Sequence, residues 1–273
     1  MSTKMSTKKI LAISDPHSSH VAGLTPPAWQ TKEFIKSTTK RNKWAVMQRE
    51  NWSAWRALLK KHGPFDAAFH LGDAMDGKGW RSGGTELITS DMDEQTDMAV
   101  EVCHTIRQHG KKGFKLFGVN GTPYHTASEG GEDWDTIMAH RAGFEKFGSH
   151  EWIDINKCIF DLKHKCGSST IPHGKFTPIA KSKLWNTLWQ NGQPQANVLL
   201  RGHVHYHTFC GEPGWIAMTL PALQAAGTKF GSRQCEGIVH WGVTVFEVDS
   251  KGQFSWECDT VQFAGQTPKA IKI

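Results

Sequence analysis

The chain has 273 residues, of which 38% are hydrophobic and 21% charged, so it can bury a complete core and has the composition of a folded globular protein. Its net charge of +6 favours an anionic partner. No apolar stretch reaches the length of a membrane span and no secretory segment follows the start, so we expect no membrane association. The six cysteines are scattered without a C-x-x-C pair, which predicts reduced thiols and a cytoplasmic location.

The chain begins with a repeated four-residue unit, Met-Ser-Thr-Lys, so residues 1–8 are predicted to be a disordered leader. Residues 9–273 are predicted to form a single domain. Within it, residues 18–42 have no clear periodicity and contain two adjacent prolines, which predicts a long loop. A loop of this length inside a compact domain is typical of a lid, a binding loop or a disordered segment.

Short apolar strands alternate with amphipathic helices along the first half of the chain. Strands are predicted at residues 9–13, 67–71, 113–119, 152–162 and 197–201, and a hairpin at 237–248 and 254–263. Helices are predicted at residues 43–62, from residue 90 to Gly110, around 133–141, and from 177 to about 190. This alternation with a β-rich end predicts an α/β sandwich whose strand ends meet at one edge.

Tryptophan is unusually frequent, with twelve residues in the chain. Trp52 and Trp55 are followed by Leu59 at helical spacing, and Trp185 and Trp189 are also one helical turn apart. Residues that repeat in this way form the buried face of a helix, so we predict that most of these rings belong to the core.

Metal-binding residue types follow the ends of five predicted segments. They are Asp15 and His17, Asp73, Asn120 with His125, His173, and His203 with His205. Mixed carboxylate and imidazole ligands suit Mn, Fe, Zn or Ni. Seven candidate ligands are too many for one ion and about right for two that share a carboxylate. Two such ions can lower the pKa of a bridging water and bind the phosphoryl oxygens, so the residue types predict hydrolysis of a phosphate ester.

The order of these segments resembles the calcineurin-like metallophosphoesterase superfamily. The superfamily pattern is D-x-H, G-D, G-N-H-[DE], an isolated His and G-H-x-H. The chain matches it with Asp15-Pro-His17, Gly72-Asp73, a variant third block, His173-Gly174 and Gly202-His203-Val-His205. The resemblance implies two β-sheets flanked by helices, an αββα arrangement, and two divalent ions, for which we favour Mn. It also implies that Asp15, His17 and His205 bind the first ion, that Asp73 bridges, and that an Asn, His173 and His203 complete the second.

The third block departs from the superfamily pattern, in which the Asn ligand directly precedes a His that protonates the leaving group. Here the sequence reads Asn120-Gly-Thr-Pro-Tyr-His125. Either Asn120 is the ligand and the loop bulges before His125, or Gly121-Thr122 occupies the place of Gly-Asn. We favour Asn120 as the ligand and His125 as the general acid.

Further residues lie on loops that lead from the predicted site. Thr122, Tyr124 and Arg81 are candidate substrate-binding residues. Asp76 is a candidate for orienting a metal ligand.

The sequence therefore predicts a dinuclear-metal-dependent phosphoesterase, with a phosphodiester or nucleic acid as the favoured substrate because of the positive charge. The alternative is a binding or scaffolding protein of the same fold whose metal site has decayed, which the altered third block suggests. The oligomeric state cannot be derived from the sequence.

Overall fold

The computed structural model describes residues 6–32, 39–80, 83–126, 131–169, 171–228, 238–263 and 270. Within these ranges the chain forms two β-sheets. The first sheet contains β1 (Lys8–Ile13), β2 (Phe65–His70), β3 (Gly110–Val119), β4 (Lys146–Gly148), β10 (Trp241–Val248) and β11 (Phe254–Val261), in the order β11-β10-β1-β2-β3-β4. The second contains β5 (Glu151–Ile155), β6 (Cys158–Lys163), β7 (Val198–Arg201), β8 (Thr208–Glu212) and β9 (Trp215–Thr219), in the order β5-β6-β7-β9-β8.

Helices lie on the outer faces of both sheets. They are α1 (Thr39–His62), α2 (Met92–Arg107), α3 (Pro123–Thr126), α4 (Trp134–Ala142) and α5 (Thr177–Leu188). Two short 3-10 turns are formed by Pro27–Trp29 and Pro172–Gly174. Helix α2 begins at the cap Asp91, whose side chain accepts hydrogen bonds from the N–H groups of Asp93 and Glu94.

Alternation along the strands separates two hydrophobic cores. In β1, Ile10 and Ala12 pack between the two sheets, whereas Leu11 and Ile13 pack against the layer that contains α1, α2 and α4. A smaller cluster under α5 covers the outer face of the second sheet. The layers are thus helix, sheet, sheet and helix, which confirms the predicted α/β two-sheet sandwich with flanking helices.

Parallel pairing brings several strand ends to one edge of the sandwich. Strands β1, β2 and β3 are parallel neighbours in the first sheet, and β6, β7 and β9 are parallel neighbours in the second. The residues that follow these strands therefore emerge at the carboxyl edges, where open α/β sheets place their ligands.

The structure differs from the sequence predictions between residues 18 and 42. The first part of this segment is packed rather than loose, since Ala22 and Leu24 are fully buried and Ser18 forms a bridge with Met75. Helix α1 begins at Thr39, before the predicted start at residue 43. Residues 33–38 and 1–5 lie outside the described part of the chain.

The tryptophan prediction is right for one pair of residues and wrong for another. Trp55 is fully buried and donates a hydrogen bond to Thr105, whereas Trp185 and Trp189 are 54% and 60% exposed. Helix α5 packs onto the second sheet through Ile179, and the two tryptophans lie on other faces of the helix. Among the described residues, no helix is both long and apolar enough to cross a membrane.

Candidate metal centre

The carboxyl end of β1 continues alongside the end of β2 and carries the first ligand candidates. The N–H of Asp15 donates to the carbonyl of Gly72 at 3.2 Å, and the N–H of His17 donates to the carbonyl of Asp73 at 3.0 Å. These bonds hold the two loops side by side. As a result, carboxylates and imidazoles that are distant in sequence face one another.

The backbone at this edge is strained at the candidate ligands. Asp15, His17, Asp73, His203 and His205 all have positive φ, between 42° and 74°. A residue with a side chain rarely adopts this conformation, and such strain concentrates at functional sites. The sharp turns direct these side chains into one buried cluster.

The first half of the cluster consists of Asp15, His17 and His205, as the sequence predicts. The Nε2 of His205 lies 3.2 Å from Oδ1 of Asp15 and 3.3 Å from Nε2 of His17. All three residues are at most 3% exposed. Three donors of two chemical types thus converge on one point, a set that suits a divalent ion.

The second half consists of Asp73, His164 and His203. The Nε2 of His164 lies 3.1 Å from Oδ2 of Asp73. The hydroxyl of Thr122 completes this group, since its Oγ1 lies 3.3 Å from Nε2 of His164 and 3.2 Å from Nδ1 of His203. This group offers one carboxylate, two imidazoles and a hydroxyl.

Asp73 joins the two halves. Its Oδ2 lies 3.1 Å from Nε2 of His164 in the second half and 3.8 Å from Nε2 of His17 in the first. A carboxylate between two donor groups is the arrangement expected for a ligand shared by two ions. This position agrees with the bridging role that the resemblance implies.

In the third block, the structure brings Thr122 rather than Asn120 to the cluster. The N–H and the hydroxyl of Thr122 both donate to the carboxylate of Asp73, the hydroxyl at 3.3 Å. Asn120 directly follows β3, and its N–H donates to the carbonyl of Gly148 at 2.9 Å. A Cβ on Gly121 would overlap the backbone and carboxylate of Asp73, so only glycine allows this close approach. These contacts favour the alternative, Gly121-Thr122, and the choice between Asn120 and Thr122 as the ligand stays a prediction.

The structure also places His164 where the sequence predicted His173. His173 lies exposed in the 3-10 turn Pro172–Gly174 and belongs to none of the donor clusters among the described residues. His164 directly follows β6, just as the other candidates directly follow their strands. That position at a strand end is the signal that could have identified His164. The glycine beside His173 is a weaker signal of a ligand than a position directly after a strand.

His125 lies at the rim of the cluster, on α3. Its Nε2 is 3.8 Å from Oδ2 of Asp73, and its Nδ1 donates to the carbonyl of Asp76 at 2.8 Å. Burial alone would lower the pKa of His125, but Asp73 and Asp76 outweigh it and hold the pKa above its ordinary value. This position beside Asp73, with a raised pKa, agrees with the predicted role of His125 as a proton donor.

Two buried carboxylates at the periphery of the cluster orient residues that belong to it. Asp76 accepts a hydrogen bond from Nδ1 of His17 at 2.9 Å, which leaves Nε2 of His17 directed at the cluster. Asp135, on α4, accepts from the N–H of Gly121 at 2.9 Å and thereby fixes the loop that carries Thr122. The orienting role considered for Asp76 agrees with this geometry. Asp135 was not identified from the sequence.

The imidazoles of the cluster offset the negative charge of its buried carboxylates. Burial alone would raise the pKa of Asp73, but His164 and His125 hold it well below the ordinary value. For His164 burial alone would lower the pKa, but Asp73 raises it to about 9. Two buried carboxylates, Asp15 and Asp73, thus require positive charge from their surroundings.

The remaining sequence candidates lie near the rim or beyond the described residues. Tyr124 is half-buried and packs edge-on against His125, with 5.1 Å between the ring centres. Arg81 lies outside the described residues, so its predicted role in substrate binding stays a prediction.

The chemistry of the donor set fits two divalent ions. Carboxylate oxygens and imidazole nitrogens in two adjoining groups, with one shared carboxylate, suit Mn, Fe, Zn or Ni rather than Ca, which prefers oxygen donors alone. Each group keeps its donor atoms within 4.8 Å of one another. Asp15, His17 and His205 would hold one ion, and Asp73, His164 and His203 with Thr122 would hold the other.

Comparison with known proteins gives similarity to solved structures only. No family model matches the chain, and no curated protein matches it. The chain is similar to an archaeal phosphodiesterase (11% identity, TM-score 0.42, covering 92% of this chain and 99% of the other). It is also similar to Vps29 of Entamoeba histolytica in complex with Zn²⁺ (13% identity, TM-score 0.41, 92% and 98%). A third is a predicted phosphoesterase of Streptococcus pneumoniae (11% identity, TM-score 0.39, 94% and 99%).

At 11–13% identity the similarity concerns the fold. We therefore rest the following proposals on the residues of this chain.

Proposed function

We propose that the chain is a metal-dependent phosphoesterase that hydrolyses a phosphodiester, with nucleic acid or a nucleotide as the favoured substrate. One observation carries the proposal: two donor groups adjoin each other, with Asp73 of the second 3.8 Å from His17 of the first, and the candidate proton donor His125 lies beside them. A pair of divalent ions bound there would lower the pKa of a bound water and neutralise the phosphoryl oxygens.

The chain's own residues supply the rest of the chemistry. His125 is held by the carbonyl of Asp76, and its raised pKa keeps a proton available at the rim of the cluster. Donation of that proton to the departing oxygen would avoid the release of an alkoxide. The hydrogen bond from His17 to Asp76 and the fixed loop of Thr122 keep the donors oriented before substrate binds.

Charge near the site suits an anionic substrate. Residues 162–211, which contain His164, His203 and His205, include five lysines and one arginine but no Asp or Glu. One of them, Lys175, precedes α5 and lies with its Nζ 4.9 Å from the centre of the ring of Tyr206, the residue after His205. Positive charge here would attract a phosphodiester.

The test compares a chromogenic diester, bis(p-nitrophenyl) phosphate, with the monoester p-nitrophenyl phosphate, in Mn²⁺ and in chelator. We expect turnover that chelator removes and a preference for the diester. Asp73→Asn should reduce kcat by more than the roughly 10–100-fold that loss of an outer partner costs. Asp66→Asn is the matched control, because Asp66 lies in β2 and pairs with Lys8 and Lys111 on the surface. Full activity of Asp73→Asn would refute the proposal.

A non-enzymatic binding or scaffolding role is the second candidate, and the Thr122 block favours it, since a hydroxyl is a poorer metal ligand than an amide oxygen. Against it, Asp15 and Asp73 are buried carboxylates that are costly to keep without a cation. Purified protein that contains no stoichiometric metal and hydrolyses neither ester would support this second role.

A further inference from the structure

A pocket of about 360 Å³ opens where the edges of the two sheets meet. It is lined by His207, His240, Trp256, Glu257, Cys258 and Thr260, and we call it the edge pocket. Strand β11 is an edge strand of the first sheet, and β8 is an edge strand of the second. The pocket has the volume of a small-molecule site.

Aromatic rings lie along the edge pocket: His207 and Trp256 line it, and Phe209 packs beside both of these rings. The ring of Trp256 lies 4.8 Å from Phe209 and 5.7 Å from His207, measured between ring centres. His207 and Phe209 are stacked with an angle of 30° between their planes. Phe209 is 48% exposed although it is large and apolar. A cluster of rings that is open to solvent on one side can take a further flat ring.

Hydrogen bonds connect the edge pocket directly to the metal centre. The N–H of His240 donates to the carbonyl of His205 at 2.9 Å, and the N–H of His207 donates to Nδ1 of His240 at 2.9 Å. His240, which lines the pocket, is therefore hydrogen-bonded to the candidate ligand His205. His207, which also lines it, is two positions from His205 along the chain. The edge pocket therefore adjoins the segment of chain that carries His205.

We propose that the edge pocket binds a nucleobase of the phosphodiester whose phosphate lies at the metal centre. This inference rests on the proposed function and specifies its substrate as a nucleoside phosphodiester. Bases stack on aromatic side chains whatever their sequence, because every base has a flat π-face. The hydroxyl of Thr260 can form hydrogen bonds with the edge of a base, whereas the carboxylate of Glu257 is paired with Nζ of Lys61 at 3.5 Å.

The activity test uses a matched pair of substrates without other aromatic groups. One is the dinucleotide d(TpT), and the other is its analogue in which both bases are replaced by hydrogen; cleavage is followed by chromatography. For the wild-type protein, kcat/KM should be roughly 10–100-fold higher with d(TpT) than with the analogue, because the KM for d(TpT) is lower. Trp256→Ala should remove this difference, and Trp256→Phe should retain most of it. Trp189→Ala, at an exposed ring of another element, should leave both substrates unaffected.

A second measurement does not depend on turnover. The fluorescence of 2-aminopurine riboside 5′-monophosphate falls when the base stacks, so it should be quenched by wild-type protein and by Trp189→Ala but much less by Trp256→Ala and Phe209→Ala. Absence of quenching with wild-type protein, or equal quenching with all four proteins, would overturn the inference. Equal cleavage of the two dinucleotides by wild-type protein would overturn it while leaving the proposed function intact. Loss of the proposed function would show itself separately, as absence of metal-dependent cleavage of every ester.

Discussion

In the proposed site, Thr122 supplies a hydroxyl in place of the asparagine amide of the superfamily pattern. Its Oγ1 contacts Asp73, His164 and His203, so it lies in the second donor group. Thr122→Val removes the hydroxyl at nearly constant volume, and we expect metal affinity at the second position to fall by roughly 10–100-fold. Metal content after dialysis against limiting Mn²⁺, measured by mass spectrometry, checks this.

Thr122→Ser is the control for the same position, because it keeps the hydroxyl and should keep both ions. If Thr122→Val retains two ions with unchanged affinity, Thr122 is not a ligand. The loop itself should survive either change, because the N–H of Thr122 and the bond from Gly121 to Asp135 are unaffected.

At the residue scale, the sequence was informative wherever a ligand type directly follows a buried strand. Asp15, Asp73 and the histidines of Gly202-His203-Val-His205 are placed by strands that alternation alone predicts. The exception is His164, which also directly follows β6 but was passed over because Lys163 and Lys165 flank it. In the third block the spacing left Asn120 and Thr122 both open. In both cases the deciding contact is tertiary.

Strands β6 and β7 are joined beneath the site by a buried ion pair. Arg201 and Asp161 are 4% and 1% exposed, and Nη1 of Arg201 lies 2.7 Å from Oδ1 of Asp161. His150 donates to the same oxygen at 2.9 Å. Since these strands place His164 and His203, the pair bears on the geometry of the metal centre.

Arg201→Met should destabilise the protein by about 3–5 kcal/mol, because it leaves the buried carboxylate of Asp161 without its guanidinium. Arg141→Met is the matched control. Arg141 pairs with Asp93 and Asp97 on the surface, so its loss should cost at most about 1 kcal/mol. Urea-unfolding midpoints compare the two variants; equal midpoints would contradict the expectation.

The same pair predicts a dependence of stability on pH. Burial alone would raise the pKa of Asp161, but His150 and Arg201 hold it below the ordinary value. A carboxyl whose pKa is lowered on folding stabilises the protein fully above the unfolded pKa of about 3.9, and this contribution is lost as the pH falls through the lower folded value. The difference in unfolding midpoint between wild type and Asp161→Asn should therefore be constant above about pH 5 and shrink below about pH 4. A difference that persists unchanged at pH 3 would contradict this origin.

At the element scale, most strands and helices follow from periodicity and from their end signals. Helix α2 and the hairpin of β10 and β11 lie close to their predicted bounds. Strand β4 was not predicted because three residues carry no period, and the exposed Trp185 and Trp189 of α5 were misassigned because helical spacing does not say which face is covered.

For the molecule as a whole, the metal centre should contribute to stability once ions are bound. Each ion that binds only the folded chain stabilises it by about 2.7 kcal/mol at a hundredfold excess over its Kd. For a protein of this size that should raise Tm by roughly 5–10 °C. Scanning calorimetry with Mn²⁺ and with chelator measures the shift. Asp73→Asn should lose most of it and Asp66→Asn should retain it.

The order of layers explains how this ion-dependent stability is transmitted. The donors are contributed by the ends of β1, β2, β6 and β7, which belong to both sheets. Ions held by both sheets cross-link the two halves of the sandwich. A rise in Tm that is equal in Asp73→Asn and wild type would show instead that the ions act elsewhere.

The positive φ angles at the candidate ligands carry a consequence for protein engineering. Each such residue costs on the order of 1–3 kcal/mol relative to a relaxed backbone, and five of them lie in one cluster. Glycine at Asp15 or His205 would relieve that cost and remove a buried polar group at the same time. A library screened for heat resistance in the presence of chelator would therefore select against the metal centre first. Screening the same library with Mn²⁺ present would reverse the direction of that selection.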